Sequence, residues 1–366
     1  MNNINYNIVN SIKNIKRKDR IDNRPTNFIR ADRNEKVDNW EKKILDQIHK
    51  SITPREFTAY LNPTVLKKIL HKYAKYTEIN PKNICIYNGG DPVIREFIIF
   101  NFKKNLKVGV NHYNYQMYDV YFNLLKIKPY KVGYNFSKNF YNLFQFNKKN
   151  FFKILPKIDI FFFTFPNQIS NEDFTVDEFN KILKKNKNKI FFIDESYYGF
   201  GHNSFIKLIK KNKNLFILRS ITKTFGLAPH RVGFLIANKD SIKKYRNFQT
   251  PYPLSIFSVK LLSFFTDNFN LIIKYQKEVI DSRELIVKKL RKRGYFINNP
   301  KSNFINVLIN NQKEKNYFLK KAKIMKYIFK VNNFSNKIFI RITFGKLKTM
   351  KRILNIFDGK NRTQNS

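Results

Sequence analysis

The chain of 366 residues has a single cysteine, Cys85, and so has no partner for an intrachain disulfide. Histidine is scarce as well. The five, at positions 49, 71, 112, 202 and 230, show no ligand spacing, and no metal site is expected. Acidic residues number 26 against 71 Lys and Arg, a formal charge of +45. Such an imbalance attracts anionic partners, nucleic acid among them. Here the cations are mostly lysine and are scattered, and Lys is enriched together with Asn, Ile, Phe and Tyr, all served by AT-rich codons. A compositional bias explains the charge, and no specific nucleic-acid partner is expected. Long apolar runs are missing: the longest, 158–165, suits a buried strand and falls short of the roughly 20 residues that span a bilayer. The basic N-terminus lacks the apolar stretch of a secretory signal. A soluble, cytoplasmic protein without a membrane partner is expected.

The densest chemistry lies at 190–233. An apolar strand ends in Asp194. A second ends in Ser220-Ile221-Thr222-Lys223, and Arg231 follows eight positions after the lysine. These residue types suit pyridoxal phosphate. A pyridine ring withdraws electrons well when its nitrogen is protonated, and a buried carboxylate such as Asp194 keeps the proton there. A lysine in a desolvated, cationic setting has a lowered pKa, so Lys223 can bond the cofactor aldehyde and move protons. A phosphate wants hydroxyls, an arginine fork and free N–H groups; Ser220, Thr222 and Arg231 supply the first two. Earlier, Gly89-Gly90-Asp91-Pro92 joins a strand to a helix start. Its glycines let backbone N–H groups approach an anion at the helix N-terminus, and Pro92 fits the first turn.

Residues 220–233, with Lys223, Gly226, Arg231 and Gly233, resemble the lysine signature of the class I and II aminotransferases, within the fold type I pyridoxal-phosphate enzymes. Pro229 departs from the small residue usual there. Asp194-Glu195-Ser196-Tyr197 resembles the Asp-Glu-x-Tyr of the histidinol-phosphate aminotransferase group. The resemblance extends over most of 28–350 and implies a role for each matching residue. Lys223, Asp194 and Tyr197 are the implied catalytic set. Gly89, Gly90 and Asp91 match a phosphate turn, with Pro92 replacing Glu. Tyr113-Asn114-Tyr115-Gln116-Met117-Tyr118 is similar to Pro-Thr-Tyr-Gly-Met-Tyr and places Tyr115 on the cofactor ring, as a flat aromatic suits. Pro166-Asn167-Gln168-Ile169-Ser170-Asn171 stands where the family has Pro-Asn-Asn-Pro-Thr-Gly. Asn167 or Gln168 could then meet the ring oxygen beside Tyr197; Asn167 is chosen for its type. Tyr60, in a segment similar to the family's Tyr-Pro loop, implies a tyrosine that reaches the phosphate of the other subunit of a homodimer. Asn34 lies in a segment similar to the substrate entry, with Lys36-Val37 where the family has Asn-Pro. Arg341, in a strand resembling Ile-Arg-Ile-x-x-Gly, implies a fork for the substrate carboxylate.

The fold implied is α/β, a fold type I transferase: a large domain with a mostly parallel central sheet plus a smaller α/β domain. The expected divisions are a basic extension at 1–25, with Ile8, Ile12 and Ile15 at helical spacing, then an arm at 26–50 belonging to the small domain. A large domain at 51–248, a small domain at 249–358 and a tail at 359–366 follow. The expected activity is amino transfer from an amino-acid donor, glutamate by resemblance, to an oxo acceptor such as imidazole-acetol phosphate. A decarboxylase of amino-acid phosphates would use the same residues. A basic nucleic-acid-binding or non-catalytic protein on this scaffold is the alternative of another class.

Overall fold

The computed structural model describes residues 24–170 and 173–358. The helix expected around Ile8, Ile12 and Ile15 and the tail from residue 359 lie outside them.

Seven short strands build the main sheet: β1 (Ile84–Tyr87), β2 (Val108–Asn111), β3 (Tyr130–Val132), β4 (Ile160–Thr164), β5 (Ile190–Asp194), β6 (Leu215–Ser220) and β7 (Gly233–Ala237). Their order is β1-β7-β6-β5-β4-β2-β3, and only β7 runs against its neighbours. The near-continuous apolar runs follow from burial on both faces. Phe161 and Phe163 of β4 enter one hydrophobic cluster, while Ile160 and Phe162 enter the cluster on the opposite face. Alternate residues of β5 and β6 divide in the same way.

Strand direction decides where the functional residues gather. Six strands deliver their C-terminal ends to one rim. The antiparallel β7 delivers its start there, since Gly233 faces both Ser220 and Tyr87 in register. Thr164 pairs with Asp194, and Asp194 with Leu218, so the ends of β4, β5 and β6 lie side by side. Ligands of open α/β sheets bind outside such strand ends.

A second, antiparallel sheet of order β8-β9-β11-β10 follows, from β8 (Ile297–Asn298), β9 (Phe304–Ile309), β10 (Lys330–Phe334) and β11 (Lys337–Thr343). The arm strand Ile29–Arg30 pairs in parallel with Tyr327–Ile328. Two helices that follow β7 in the chain, Ile256–Asp267 and Phe269–Lys292, are bent by 82° at Asn268. The longer one spans two cores: Ile272 packs in the main-sheet cluster, and Tyr275, Val279, Ile286 and Leu290 pack in the C-terminal cluster. Among the described residues no single helix is long and apolar enough to cross a membrane.

Candidate active site

The lysine turn leaves the end of β6. Ser220 caps the one-turn helix Ile221–Thr224, its Oγ accepting from the Thr222 amide at 3.2 Å. Gln276 and Tyr275 of the long helix donate to the carbonyls of Thr224 (3.0 Å) and Lys223 (3.4 Å), anchoring this turn to the molecule's spine. Lys223 Nζ points into a cleft of about 1450 Å³ and donates to the Arg33 carbonyl at 3.0 Å. Burial lowers its pKa to about 8; Arg341 and Arg231 push the same way, while Glu35 and Asp91 oppose.

Asp194 is buried at the end of β5. Its Oδ1 accepts from the Ser196 amide at 3.0 Å and the Ser196 hydroxyl at 2.5 Å, and its Oδ2 accepts from Tyr118 Oη at 3.2 Å. Burial raises its pKa against those three donors, with Asp91 adding to the rise. A cationic ring N–H would relieve that cost. Tyr118 and Ser196 stood inside quoted motifs, but the sequence assigned them nothing. Tyr118 carries a usable signal, a tyrosine one helical turn past Tyr115 at the start of helix Met117–Leu124.

The phosphate candidates converge. Thr222, Ser220, Gly90, Asp91 and Arg231 line the same cleft as Lys223. Arg231 adopts a left-handed backbone, φ +44°, and reaches Thr222 Oγ1 at 3.4 Å and Asp91 Oδ2 at 3.7 Å. Gly89 does not line the cleft. It sits behind the guanidinium at φ +99°, where a Cβ would stand 2.9 Å from Arg231 Nη2. Tyr115 lines the cleft, its hydroxyl 3.5 Å from Asp91 Oδ2.

On the other wall, Asn34 donates to Tyr197 Oη at 2.7 Å and accepts from Thr343 Oγ1 at 3.2 Å, linking the arm to the end of β11. Arg341 of β11 is buried. Its Nη2 donates to the Asp32 carbonyl at 2.8 Å, and its Nε has no partner. Burial lowers its pKa against the pull of Tyr197 and Asp32. A desolvated guanidinium with an orphan donor is suited to an anion.

Two candidates stand elsewhere. Asn167 is buried away from the cleft, its Nδ2 donating to Thr164 Oγ1 (2.9 Å) and the His112 carbonyl (3.1 Å). Gln168 lines the cleft in its place. The cause is the turn after β4: Asn167 Oδ1 also accepts from the Ile169 amide, folding its side chain into the turn itself. Tyr60 is 83% exposed, stacked on Tyr252 at 4.7 Å and outside the cleft lining. No cluster of three or more metal-type ligands occurs among the described residues.

A buried carboxylate, a desolvated lysine and an arginine beside a glycine turn, at one rim of a mostly parallel sheet, fit pyridoxal phosphate. The orphan Arg341 Nε and the cradle behind Arg231 leave the anion seats the cofactor and an amino acid need. These features define a pyridoxal-phosphate enzyme of fold type I. The family model "Aminotransferase class I and II" matches residues 26–357, and the chain belongs to that family: it is a pyridoxal-phosphate-dependent aminotransferase. Histidinol-phosphate aminotransferase of Clostridium novyi is 29% identical over 341 residues, 91% of this chain and 92% of that protein. The same-named protein of Sulfurisphaera tokodaii is 30% identical over 251 residues, 67% of this chain and 69% of its own. Among solved structures, histidinol-phosphate aminotransferase of Sinorhizobium meliloti in complex with pyridoxal-5'-phosphate superposes with a TM-score of 0.76 at 13% identity, covering 90% of each chain. That of Clostridium acetobutylicum gives 0.75 at 19% identity, over 90% of this chain and 98% of the other.

Proposed function

We propose that this aminotransferase takes its amino group from glutamate and delivers it to a phosphorylated oxo acceptor, imidazole-acetol phosphate, working as a homodimer. The observation that carries the substrate reading is the clustering of Arg231, Lys223, Lys330 and Arg341 around one cleft, Lys330 lying opposite Arg341 in the β10–β11 register. Arg231 serves the cofactor phosphate and Arg341 the substrate carboxylate. Lys330 adds positive charge for a further anionic group. The names of the curated relatives point the same way.

Pyridoxal phosphate supplies an aldehyde for the amino group and a ring that draws electrons from the carbon losing its proton. The chain's residues do the rest. Asp194 would hold the ring nitrogen protonated, with Tyr118 and Ser196 fixing its carboxylate. Tyr115 would cover a ring face and Tyr197 would donate to the ring oxygen, both lining the cleft. Lys223, its pKa lowered to about 8, would take the proton from the substrate's α-carbon and return it to the cofactor carbon next to the amine nitrogen. The hydroxyls of Ser220 and Thr222 and the main-chain N–H groups of Gly90 and Asp91 would complete the phosphate seat, and Asn34 steadies Tyr197. The homodimer reading rests on Tyr60, which lies outside its own cleft, and on exposed aromatics near it in sequence or in contact with it. Phe57 meets Phe257 edge-on and Tyr60 stacks on Tyr252, all four exposed, and a second copy would cover them.

The test is a product assay. Glutamate and imidazole-acetol phosphate should give 2-oxoglutarate and histidinol phosphate in equal amounts, dependent on Lys223. Carbon dioxide release from amino-acid phosphates without oxo-acid product would instead establish the decarboxylase, a chemistry named for one fold neighbour of TM-score 0.69 at 16% identity.

A further inference from the structure

The turn after β4 carries Ile169 and Asn171 where the resembled pattern has proline and glycine, so its shape must be held by other means. Two buried asparagines of the smaller sheet hold it. Asn306 of β9 donates from Nδ2 to the Gln168 carbonyl at 2.9 Å and to Asn298 Oδ1 at 3.1 Å. Asn298 of β8 donates to the next carbonyl, that of Ile169. Both side chains are buried, Asn306 at 0% exposure. From the opposite side, Gln168 Nε2 donates to the Asn114 carbonyl at 2.7 Å. Asn306 also stands directly across from Arg341 in the β9–β11 register. One strand position thus touches the turn that puts Gln168 at the cleft and faces the arginine offered to the substrate carboxylate. Asn303, on the same chain segment, makes a matching bond to the Asn34 carbonyl at 3.0 Å on the other wall.

We propose that Asn306 and Asn298 are positioning residues that hold the turn at 166–170, and Gln168 with it, at a set distance from Arg341. They thereby fix both the polar surroundings of the cofactor ring and the place of the substrate carboxylate relative to it. The proposal rests on the reading of Arg341 as the carboxylate fork and takes Gln168, not Asn167, as the turn's contribution to the cleft. A pair that merely joins two parts of the molecule would affect unfolding and nothing else.

The experiment uses the holoenzyme and the variants Asn306→Leu, Asn298→Leu and Gln168→Ala. The pH midpoint of the bound cofactor's visible absorption is titrated first, then kcat and KM for glutamate. Asn306→Leu should shift the midpoint by about half a pH unit or more and raise KM about tenfold, with kcat changing less. Gln168→Ala should reproduce the midpoint shift and add little on top of Asn306→Leu, as expected of groups acting through one contact. Should Asn306→Leu fail to fold, Asn298→Leu removes the second prong and decides. Folded variants that keep the wild-type midpoint and KM, with only a lowered melting temperature, overturn the proposal. The midpoint needs no amino donor, so a wrong donor assignment leaves it readable, and it then decides alone.

Discussion

At a pKa of about 8 the Lys223 ammonium is held well below the ordinary 10.5, chiefly because burial strips its water. Only the neutral amine attacks an aldehyde, and it is the majority form above the pKa. The rate at which cofactor-free protein captures pyridoxal phosphate should therefore rise with pH to a midpoint near 8 and level off above it. Below that it should fall about tenfold per unit. Stopped-flow absorbance would follow this, with Lys223→Ala showing no capture; a midpoint near 10 would sink the desolvation argument. Arg341→Ala removes a buried fork whose Nε is otherwise unpaired. Losing a charge-assisted bidentate pair should lower kcat/KM for glutamate about a hundredfold, most of it in KM. A loss confined to kcat would place Arg341 elsewhere than at the carboxylate. At this scale the sequence was legible where chemistry demands a residue type. Asp194, Lys223 and Arg231 share one rim because the first two stand at or just past the ends of β5 and β6 and the third just before the start of antiparallel β7. At Asn167 the structure turns the amide away from the cleft, which Gln168 lines instead. Whether an amide faces the cleft or its own turn depends on hydrogen bonds that Thr164, His112 and Ile169 make, and no spacing encodes those.

The elements of the rim are held by close main-chain contact and by one buried ion pair. Gly233 opens β7 where a side chain would collide with the Gly89 carbonyl, so the Gly89–Gly90 turn lies this close to β7 only because 233 lacks a Cβ. Gly233→Ala should cost about 1–3 kcal/mol, a small-to-large change in a packed site. It should also weaken cofactor binding, since the Gly89 turn backs Arg231. Urea unfolding and cofactor titration would check both, and an unchanged cofactor affinity would separate the glycine contact from the phosphate seat. Glu195, next to Asp194, is fully buried. It accepts from Arg219 Nε at 3.1 Å and Nη2 at 3.0 Å, while the guanidinium lies 3.4 Å over the Tyr198 ring. Glu195→Ala leaves that cation buried and uncompensated, a loss of about 3–5 kcal/mol by the urea midpoint. A cost below about 1 kcal/mol would mean that the Tyr198 ring and Ser204, whose Oγ accepts from Arg219 Nη2 at 2.8 Å, suffice. The strands were the most legible elements, because burial on both faces writes an unbroken apolar run such as 160–163. Their order was not. Register, and the antiparallel sense of β7 that brings Arg231 back to the rim, follow from pairings distant in sequence.

Across the whole molecule the dominant number is the charge of +45, which makes two copies repel at long range. The repulsion is screened within about a Debye length, roughly 8 Å at physiological salt. Any dimer must therefore be held by short-range contact, and the exposed aromatics around Tyr60 offer it. A subunit-exchange experiment, mixed in moderate salt to screen the charge, tests whether Tyr60 serves the other copy. Lys223→Ala lacks the cofactor lysine, and Tyr60→Phe lacks the hydroxyl assigned to the neighbour's phosphate. In a hybrid dimer the Tyr60→Phe protomer keeps Lys223 and receives an intact Tyr60 from its partner, so one of its two sites is native. An equimolar mixture should thus regain wild-type cofactor affinity at about a quarter of all sites. Were Tyr60 to act within its own protomer, no site of the hybrid would hold both groups and mixing would restore nothing. Tyr60 is 83% exposed and outside the cleft of its own chain, which favours the first outcome. That outcome would make the dimer a condition of a complete site, so that dilution lowers cofactor affinity as well as subunit association.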